Sequence, residues 1–589
     1  MQRNEYVLKN MFSSFFLSSL MASVMAQLGS ITDSIILSHL VSPDALSAFR
    51  VWLPVEAVIL LIIGLMGSGA SFLSTRGFGA QNYDKVNRVF NHHLYYVFFS
   101  TVLVIVLLLP FVDEVAGFVT TNERLLPILK PYIHAEFLTI FVTAVGAVPL
   151  SYIVSSGSPR TRTQCVIISQ VLNVLFDLLF VSVFNMGIAG AAYASALANF
   201  IAILSMAGYI RKNSYIFRLH RPDKVCTLSM YREFFSIGVP MLISALLSPV
   251  LIYIMNTLII DKLGADGMYI FTVYCQLNAI SMLALSGSNT AIGNIGGILI
   301  GEEDYDSLHL LTRRVFRLLT VVMLVVSVLI FLFPDVLGRI YGADEALLDQ
   351  CRTPFRLMSL TFLPNAFSET LGMLYFVQGH QKLCRWLELV TDVGAIIVVI
   401  VIALYSPELI WPILPVTAWL QLGVVVAMAY VAHRKNPLLS WPTLQSTVPS
   451  NPAFTFSVPY TVEGARQFVN EVKPFVKACE LDCGIAARVA LEDLVYEIVE
   501  SRPDHKPNET FDVRIVDKEN MFMAVLKSKG PLRNPIYKYS DDEVMSLDSS
   551  NLRRATMTRV CQDINHKYMN GINCIYLNYR RNESEADTR

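Results

Sequence analysis

Between Gln164 and Val183 the chain reads QCVIISQVLNVLFDLLFVSV. An α-helix needs about 20 mainly apolar residues to cross a bilayer, and this stretch supplies them. It also holds Asn173 and Asp177. A carboxylate in hydrocarbon costs at least about 2.5–3.5 kcal/mol, so such groups default to ion, proton or substrate work. Asp33 raises the same question in the first apolar run. Two acids on different helices of one half point to a coupling-ion site, and so to a transporter rather than an enzyme.

The surrounding composition agrees. The 589 residues are 54% hydrophobic and 16% charged, with a mean hydropathy of +0.50. Soluble domains carry about 25% charged residues, so most of this chain reads as lying in lipid. The nine Cys are scattered, with no CxxC pair, which speaks for reduced or lipid-buried thiols rather than a metal site. Met1–Asn10 is short and polar, and the run after it is too long for a cleaved signal peptide. Apolar runs fall at 11–38, 48–76, 88–111, 130–156, 163–186 and 188–210, then at 234–261, 270–300, 315–334, 353–378, 386–405 and 410–432. The fold class is therefore an all-α polytopic membrane protein with about twelve transmembrane helices.

Lys and Arg fall on alternate connections: Arg76, Lys85 and Arg88; Arg160 and Arg162; Arg211 to Lys224; Arg313, Arg314 and Arg317; Lys382 and Arg385; Arg434 and Lys435. The turns 185–190 and 406–412 have none. The positive-inside rule then places both termini in the cytoplasm of a multi-pass plasma (inner) membrane protein.

The two halves repeat. Tyr83-Asp84 matches Tyr305-Asp306, an offset of 222 that also pairs Asp44 with Asp266, Phe49 with Phe271, Leu61 with Leu283 and Gly157 with Gly379. Two six-helix lobes, 1–215 and 216–435, enter the membrane from the same side. They form parallel pseudo-repeats about an axis along the membrane normal, with a cavity between them. A Pro-rich linker, 436–452, follows. Residues 453–582 read as a soluble α/β domain of the α+β sandwich kind, and 583–589 as a disordered tail. In that domain the strands are 454–458, 510–516, 521–528 and 574–579, and the helices 462–476, 483–499 and 551–566.

Asn173 and Asp177 are four apart and share one helix face. Asp33 falls at a similar depth in the outer half of the same lobe. Such a pair can hold a proton, or bind Na⁺ with help from the Asn173 carbonyl oxygen, because hard cations prefer oxygen ligands. The second half does not repeat the arrangement. At the same offset Asn173 becomes Ala395 and Asp177 becomes Val399, and Asp33 falls near Asn256. The second half has Glu369 and Asp392 instead; Asn199, Asn256 and Glu369 are the candidates for a substrate cavity.

Asp33, the loop Gly77-Phe-Gly-Ala-Gln-Asn82, Asn173-Val-Leu-Phe-Asp177 and Gly187-Ile-Ala-Gly-Ala-Ala-Tyr-Ala-Ser195 resemble the MATE family of multidrug and toxic-compound extrusion antiporters, over roughly 1–435. The resemblance implies export of small, cationic or amphipathic organic compounds by alternating access, driven by H⁺ or Na⁺. It assigns Asp33, Asn173, Asp177 and Ser195 to the ion site, with Ser195 standing in for the usual Thr. Some family members use acids on the seventh and tenth helices; the seventh here offers only Asn256. The alternatives are a flippase for lipid-linked precursors, which calls for a cationic cavity, and a membrane-anchored regulator.

The C-terminal segment resembles the anti-sigma-factor type of histidine-kinase-like (GHKL) ATPase domain, with Glu492 at the characteristic Glu. Tyr496 stands where the metal-binding Asn is expected, Ser528-Lys529-Gly530 replaces Asp-x-Gly, and the lid segment Ser549-Ser550-Asn551-Leu552 lacks glycine. No cofactor is implied beyond the coupling ion, and ATP binding is not expected. The implied partners are the bilayer, a small-molecule substrate and a cytoplasmic protein for this domain; no nucleic acid is implied.

Overall fold

The computed structural model describes residues 5–212, 217–220, 227–343, 345–405, 409–446, 451–479, 484–502, 509–518, 521–531, 563–569 and 571–580. Helices dominate as far as Lys435. Among the described residues nine helices are long and apolar enough to cross a membrane, by length and composition. Their outer faces carry bare apolar side chains such as Leu103, Val106, Val321, Val325 and Val328. Water would oppose that exposure, and lipid does not.

A helix covers each run drawn from the sequence, some of them in two pieces. The run 48–76 is two helices, Pro43–Gly64 and Gly67–Gly79, parted at Leu65-Met66. Thr227–Ala291 runs on as helix except at Gly264, whose φ of 66° and ψ of −156° are non-helical. Two helices, Tyr6–Ile36 and Pro159–Asp177, end in π-helical turns, Leu37–Val41 and Leu178–Val183.

The offset of 222 recurs in local geometry. Gln81 and Glu303 are both non-glycine residues with φ of 58°. Asn82 caps the helix from Tyr83 by accepting from the Lys85 amide at 2.9 Å, and Asp304 caps the helix from Tyr305 by accepting from the Ser307 amide at 3.1 Å. Gly79 and Gly301, equivalent by the same offset, meet each other. A Cβ on Gly79 would lie 2.0 Å from the Ile298 carbonyl oxygen and 2.9 Å from the Gly301 Cα; one on Gly301 would lie 2.4 Å from the Arg76 carbonyl oxygen and 2.8 Å from the Gly79 Cα. Backbones this close tolerate no side chain, as in small-residue helix contacts within membranes.

The chain divides into two compact units. One is Phe15–Gly301 with Leu311–Gln445; the other joins Met1–Ser14 and Glu302–Leu310 to Ser446–Arg589. The grouping therefore cuts across the linear boundaries drawn from the sequence. The linker is held on the first unit as far as Gln445: Tyr375 donates to the Pro442 carbonyl at 2.7 Å, Gln378 to that of Thr443 at 2.9 Å, and Gln445 to Thr312 Oγ1 at 2.6 Å.

The second unit is built on a five-stranded antiparallel sheet: β1 (Ala453–Pro459), β2 (Thr510–Lys518), β3 (Met521–Lys529), β4 (Asp563–Met569) and β5 (Ile572–Arg580), in the order β1-β2-β3-β5-β4. Helices Val462–Ala478 and Gly484–Glu500 cover one face, burying Phe468, Val472, Leu491 and Leu494 against Val513, Ile515, Ala524 and Leu577. The helix expected over 551–566 is corrected at its end: Asp563–His566 belong to β4, and 551–562 lie outside the described residues. The signal was Asn570-Gly571. Met569 pairs with Ile572 across this two-residue loop, and Gly571 has φ of 92°, the hairpin for which Asn-Gly is preferred.

The other face of the sheet is also buried, because alternate residues point to opposite faces. There Arg514, Lys527 and Tyr576 meet the acidic loop Glu302-Glu303-Asp304. Lys527 Nζ pairs with Glu302, which is 0% exposed, and the Tyr576 hydroxyl donates to Glu302 Oε1 at 3.2 Å. Arg514 lies 3.5 Å from the Asp304 carboxylate and donates to the Glu303 carbonyl. Tyr6 donates to Glu509 at 2.6 Å, and Lys529 to Asn10 at 3.3 Å.

Two measurements follow. Gly79→Ala and Gly301→Ala should each lower the melting temperature in detergent. The double variant should cost less than the sum, because the two residues touch; unchanged melting would refute the close contact. Burial pushes the Lys567 ammonium from 10.5 down to about 7, against the opposing pull of Cys574 and Glu302. Below pH 7 both folded and unfolded chains carry the proton, and the buried charge destabilises. Between about 7 and 10.5 only the unfolded chain keeps it, so this contribution to stability rises with pH. Lys567→Met should therefore melt above wild type at pH 6–7, with the advantage shrinking toward pH 10.

Candidate functional site

Asp177 is the last residue of its α-helix, directly before the π turn Leu178–Val183. Asp33 is in the last α-turn before Leu37–Val41. The two π turns pack against each other. Such turns loosen the backbone ladder and recur at functional sites. The carboxyls of Asp33 and Asp177 lie within hydrogen-bonding range of each other, where a shared proton or a bound cation would relieve their repulsion. Oδ1 of each is buried without a hydrogen-bond partner, and Asp177 is only 1% exposed. The Asn173 amide, 5% exposed, donates to Ser195 Oγ at 2.9 Å, so its carbonyl oxygen remains an acceptor. Hard oxygen donors on two helices suit a proton or Na⁺. Among the described residues no group of three His, Cys, Asp or Glu side chains could hold a metal.

The positions matching Asp33 and Asp177 in the other half are Met255 and Val399. They share one apolar cluster with Ile259, Phe271 and Ile410. Equivalent positions thus sit near each other in both lobes, but only the first lobe makes them acidic. Asn256, beside Met255, is half-buried and lines none of the described cavities. It is one residue off the match.

Asn199 likewise lines none of the described cavities. It accepts from Ser169 at 2.5 Å and donates to Thr143 at 2.9 Å, which satisfies it between helices. Glu369 does line a cavity, of about 220 Å³, with Ser244, Ser368 and Glu388. Asp392 stands close enough to interact with both acids. Glu388 escaped the sequence reading, as did Glu56 and Glu136. Glu136 is buried with the Tyr132 hydroxyl within hydrogen-bonding range, and Glu56 is near them in the first lobe. The spacing Tyr132 to Glu136, one helical turn inside an apolar run, was the available signal.

A larger cavity of about 590 Å³ is lined from both halves, by Phe72, Thr75 and Arg162 on one side and by Asn289, Asn294 and Phe376 on the other.

The family model of MatE matches residues 19–179 and 240–404, more than half of the chain. The chain belongs to the MatE family. It is similar to the "Multidrug export protein MepA" of Staphylococcus aureus, at 25% identity over 237 residues, covering 40% of this chain and 52% of that protein. The protein of the same name from Staphylococcus haemolyticus matches at 24% over 242 residues, 41% of this chain and 54% of that one. The chain thus spans about half the length of these curated relatives. Among solved structures, MATE in the bent conformation matches with a TM-score of 0.65 at 16% identity, over 72% of this chain and 94% of that one. An outward-facing multidrug resistance MATE family transporter of the MOP superfamily matches at 0.64 and 16%, over 74% and 98%. The protein is thus a multi-pass membrane protein of MATE fold.

This MATE protein carries a further cavity in its C-terminal sheet domain, of about 80 Å³, lined by Glu497, Arg502, Ser528, Lys529, Gly530 and Asn573. Three of these residues, Ser528, Lys529 and Gly530, stand at the Asp-x-Gly position named above. Tyr496 packs against the domain core, and the lid segment 549–552 lies outside the described residues. Arg502 in its wall donates to the Lys529 carbonyl, pairs with Glu509 at 3.0 Å and stacks 4.9 Å from the Tyr460 ring centre. Small-molecule sites run to about 300–1,000 Å³. Calorimetric titration of the full-length protein in detergent with ATP should therefore be silent with and without Mg²⁺. Micromolar, Mg²⁺-dependent binding would overturn this reading.

Proposed function

We propose that this MATE protein is an H⁺- or Na⁺-coupled antiporter that exports small amphipathic organic compounds by alternating access. It spans the membrane twelve times in two six-helix lobes, with both termini in the cytoplasm. The reading rests above all on the Asp33–Asp177 contact, held beside Asn173 and Ser195. Two carboxyls in apolar surroundings are stable together only when a proton or a cation neutralises part of their charge. Ion arrival and departure thus switch the net charge at the paired π turns. That switch changes how the two helices pack, and it gives the two-state element that coupling requires. A potential of 100 mV supplies about 2.3 kcal/mol per charge moved, enough for a roughly 50-fold substrate gradient at 1.4 kcal/mol per decade.

The asymmetry with Met255 and Val399 supports the same reading. An acidic pair serving only architecture would be expected in both lobes. The C-terminal domain, in this proposal, is regulatory and answers to a cytoplasmic protein, because its sheet holds the loop from Glu302 to Asp304 and the start of the first helix.

The test is transport into proteoliposomes under separate Na⁺ and H⁺ gradients. Asp33→Asn and Asp177→Asn should each abolish gradient-driven transport while melting near wild type. Retained coupling in Asp177→Asn would sink the ion-site assignment. In the same assay a chain ending at Ser446 should still transport, at an altered rate; an unchanged rate would refute the regulatory role.

A further inference from the structure

The approximately 590 Å³ cavity between the halves has the size of a small-molecule site. Its wall combines Phe72 and Phe376, in an edge-to-face pair 5.5 Å between centres, with hydroxyls and amides from Thr75, Asn289 and Asn294. Arg162 is its one charged lining residue.

Arg162 is partly buried, and among the described residues it has neither an ion pair nor a charged neighbour. Arg76 and Arg514, also withdrawn from solvent, are by contrast engaged. Arg76 donates to the Val377 carbonyl at 3.0 Å and lies 4.3 Å from the Phe72 ring centre, and Arg514 is bound to the acidic loop. The carboxylates of the neighbouring cavity do not answer Arg162 either. The two spaces adjoin at Asn289 and Met373, but Arg162 lines only the first and Glu369 and Glu388 only the second. Asn289 Oδ1 is also buried without a partner.

A guanidinium presents a planar fork of donors that matches a carboxylate or phosphate two-to-two. Withdrawn from water without a counter-charge it is costly, and an incoming anion removes that cost. We propose that the central cavity takes an organic ligand with an aromatic or apolar body and an anionic group, which Arg162 binds. The body lies against Phe72 and Phe376, and a ligand N–H or O–H donates to Asn289 Oδ1. This rests on the transporter reading and narrows it, since a purely cationic compound would face the one charge in the wall with the wrong sign. The anionic group is shared by soluble aromatic carboxylates and by lipid phosphates.

Binding is measured first, in detergent and without any gradient, by fluorescence with dansylglycine, which carries a carboxylate, and dansylcadaverine, which carries an ammonium. Wild type should bind dansylglycine the more tightly. Arg162→Ala should weaken it by roughly tenfold to a hundredfold, as expected for losing a charged hydrogen bond, and Arg162→Lys should recover part of the loss. Dansylcadaverine binding to the same variants should stay within about twofold of wild type, which also shows that they are folded. Dihexanoylphosphatidic acid displacing dansylglycine better than benzoate does would assign the anion to a lipid phosphate, and the reverse order to a soluble carboxylate. A wild-type preference for dansylcadaverine, or equal loss of both probes in Arg162→Ala, would overturn the proposal. Proteoliposome uptake of dansylglycine is read separately: Arg162-dependent binding without gradient-driven uptake leaves the ligand class standing and removes the transporter reading.

Discussion

Two glycines, Gly79 and Gly301, hold the backbones of the two halves in direct contact. No side chain fits between them, and each is the other's equivalent under the internal repeat. A self-matching contact of this kind lies where the two halves are related to each other. In a membrane, helices gain little from burying apolar surface against one another, so close backbone packing and hydrogen bonds hold them instead. Around this contact the geometry recurs in pairs: left-handed Gln81 and Glu303, and caps Asn82 and Asp304.

The repeat is also the background against which the chemistry stands out. Asp33 and Asp177 meet in the first lobe; Met255 and Val399, their equivalents, share an apolar cluster in the second. The fold therefore brings these two positions together whatever occupies them, and the carboxyls are an addition to it. The second lobe carries its acids elsewhere, at Glu369, Glu388 and Asp392. Between the lobes Arg162 supplies a charge of the opposite sign. The spans that look uniformly apolar thus enclose separate acidic places in each lobe and a basic residue between the lobes.

The loop 302–304 shows the same economy in another setting. Where the first half has Ala80-Gln81-Asn82, the second has Glu302-Glu303-Asp304. The turn keeps its shape, and its new carboxylates meet Lys527 and Arg514 on the C-terminal sheet. A buried ion network is a weak source of net stability but fixes which surfaces meet, because each unpaired member would be costly.

By itself the sequence determined the class of the protein. Length and apolar run set the spans, the offset of 222 exposed the repeat, and isolated acids in hydrocarbon marked Asp33 and Asp177, since these are local properties of chain and solvent. Asn173 stood out in the same way and Ser195 only through a family pattern; the two are hydrogen-bonded. The hairpin signal at Asn570-Gly571 was legible too, but the strand before it, from Asp563 to His566, was read as the end of a helix. What no linear pattern carried was juxtaposition. Glu388 joins Glu369, Arg162 reaches a cavity lined from the other half, and Lys527 finds Glu302 more than two hundred residues away. Those meetings depend on how whole helices and strands pack, which is decided by the sum of many contacts and not by the residues that meet.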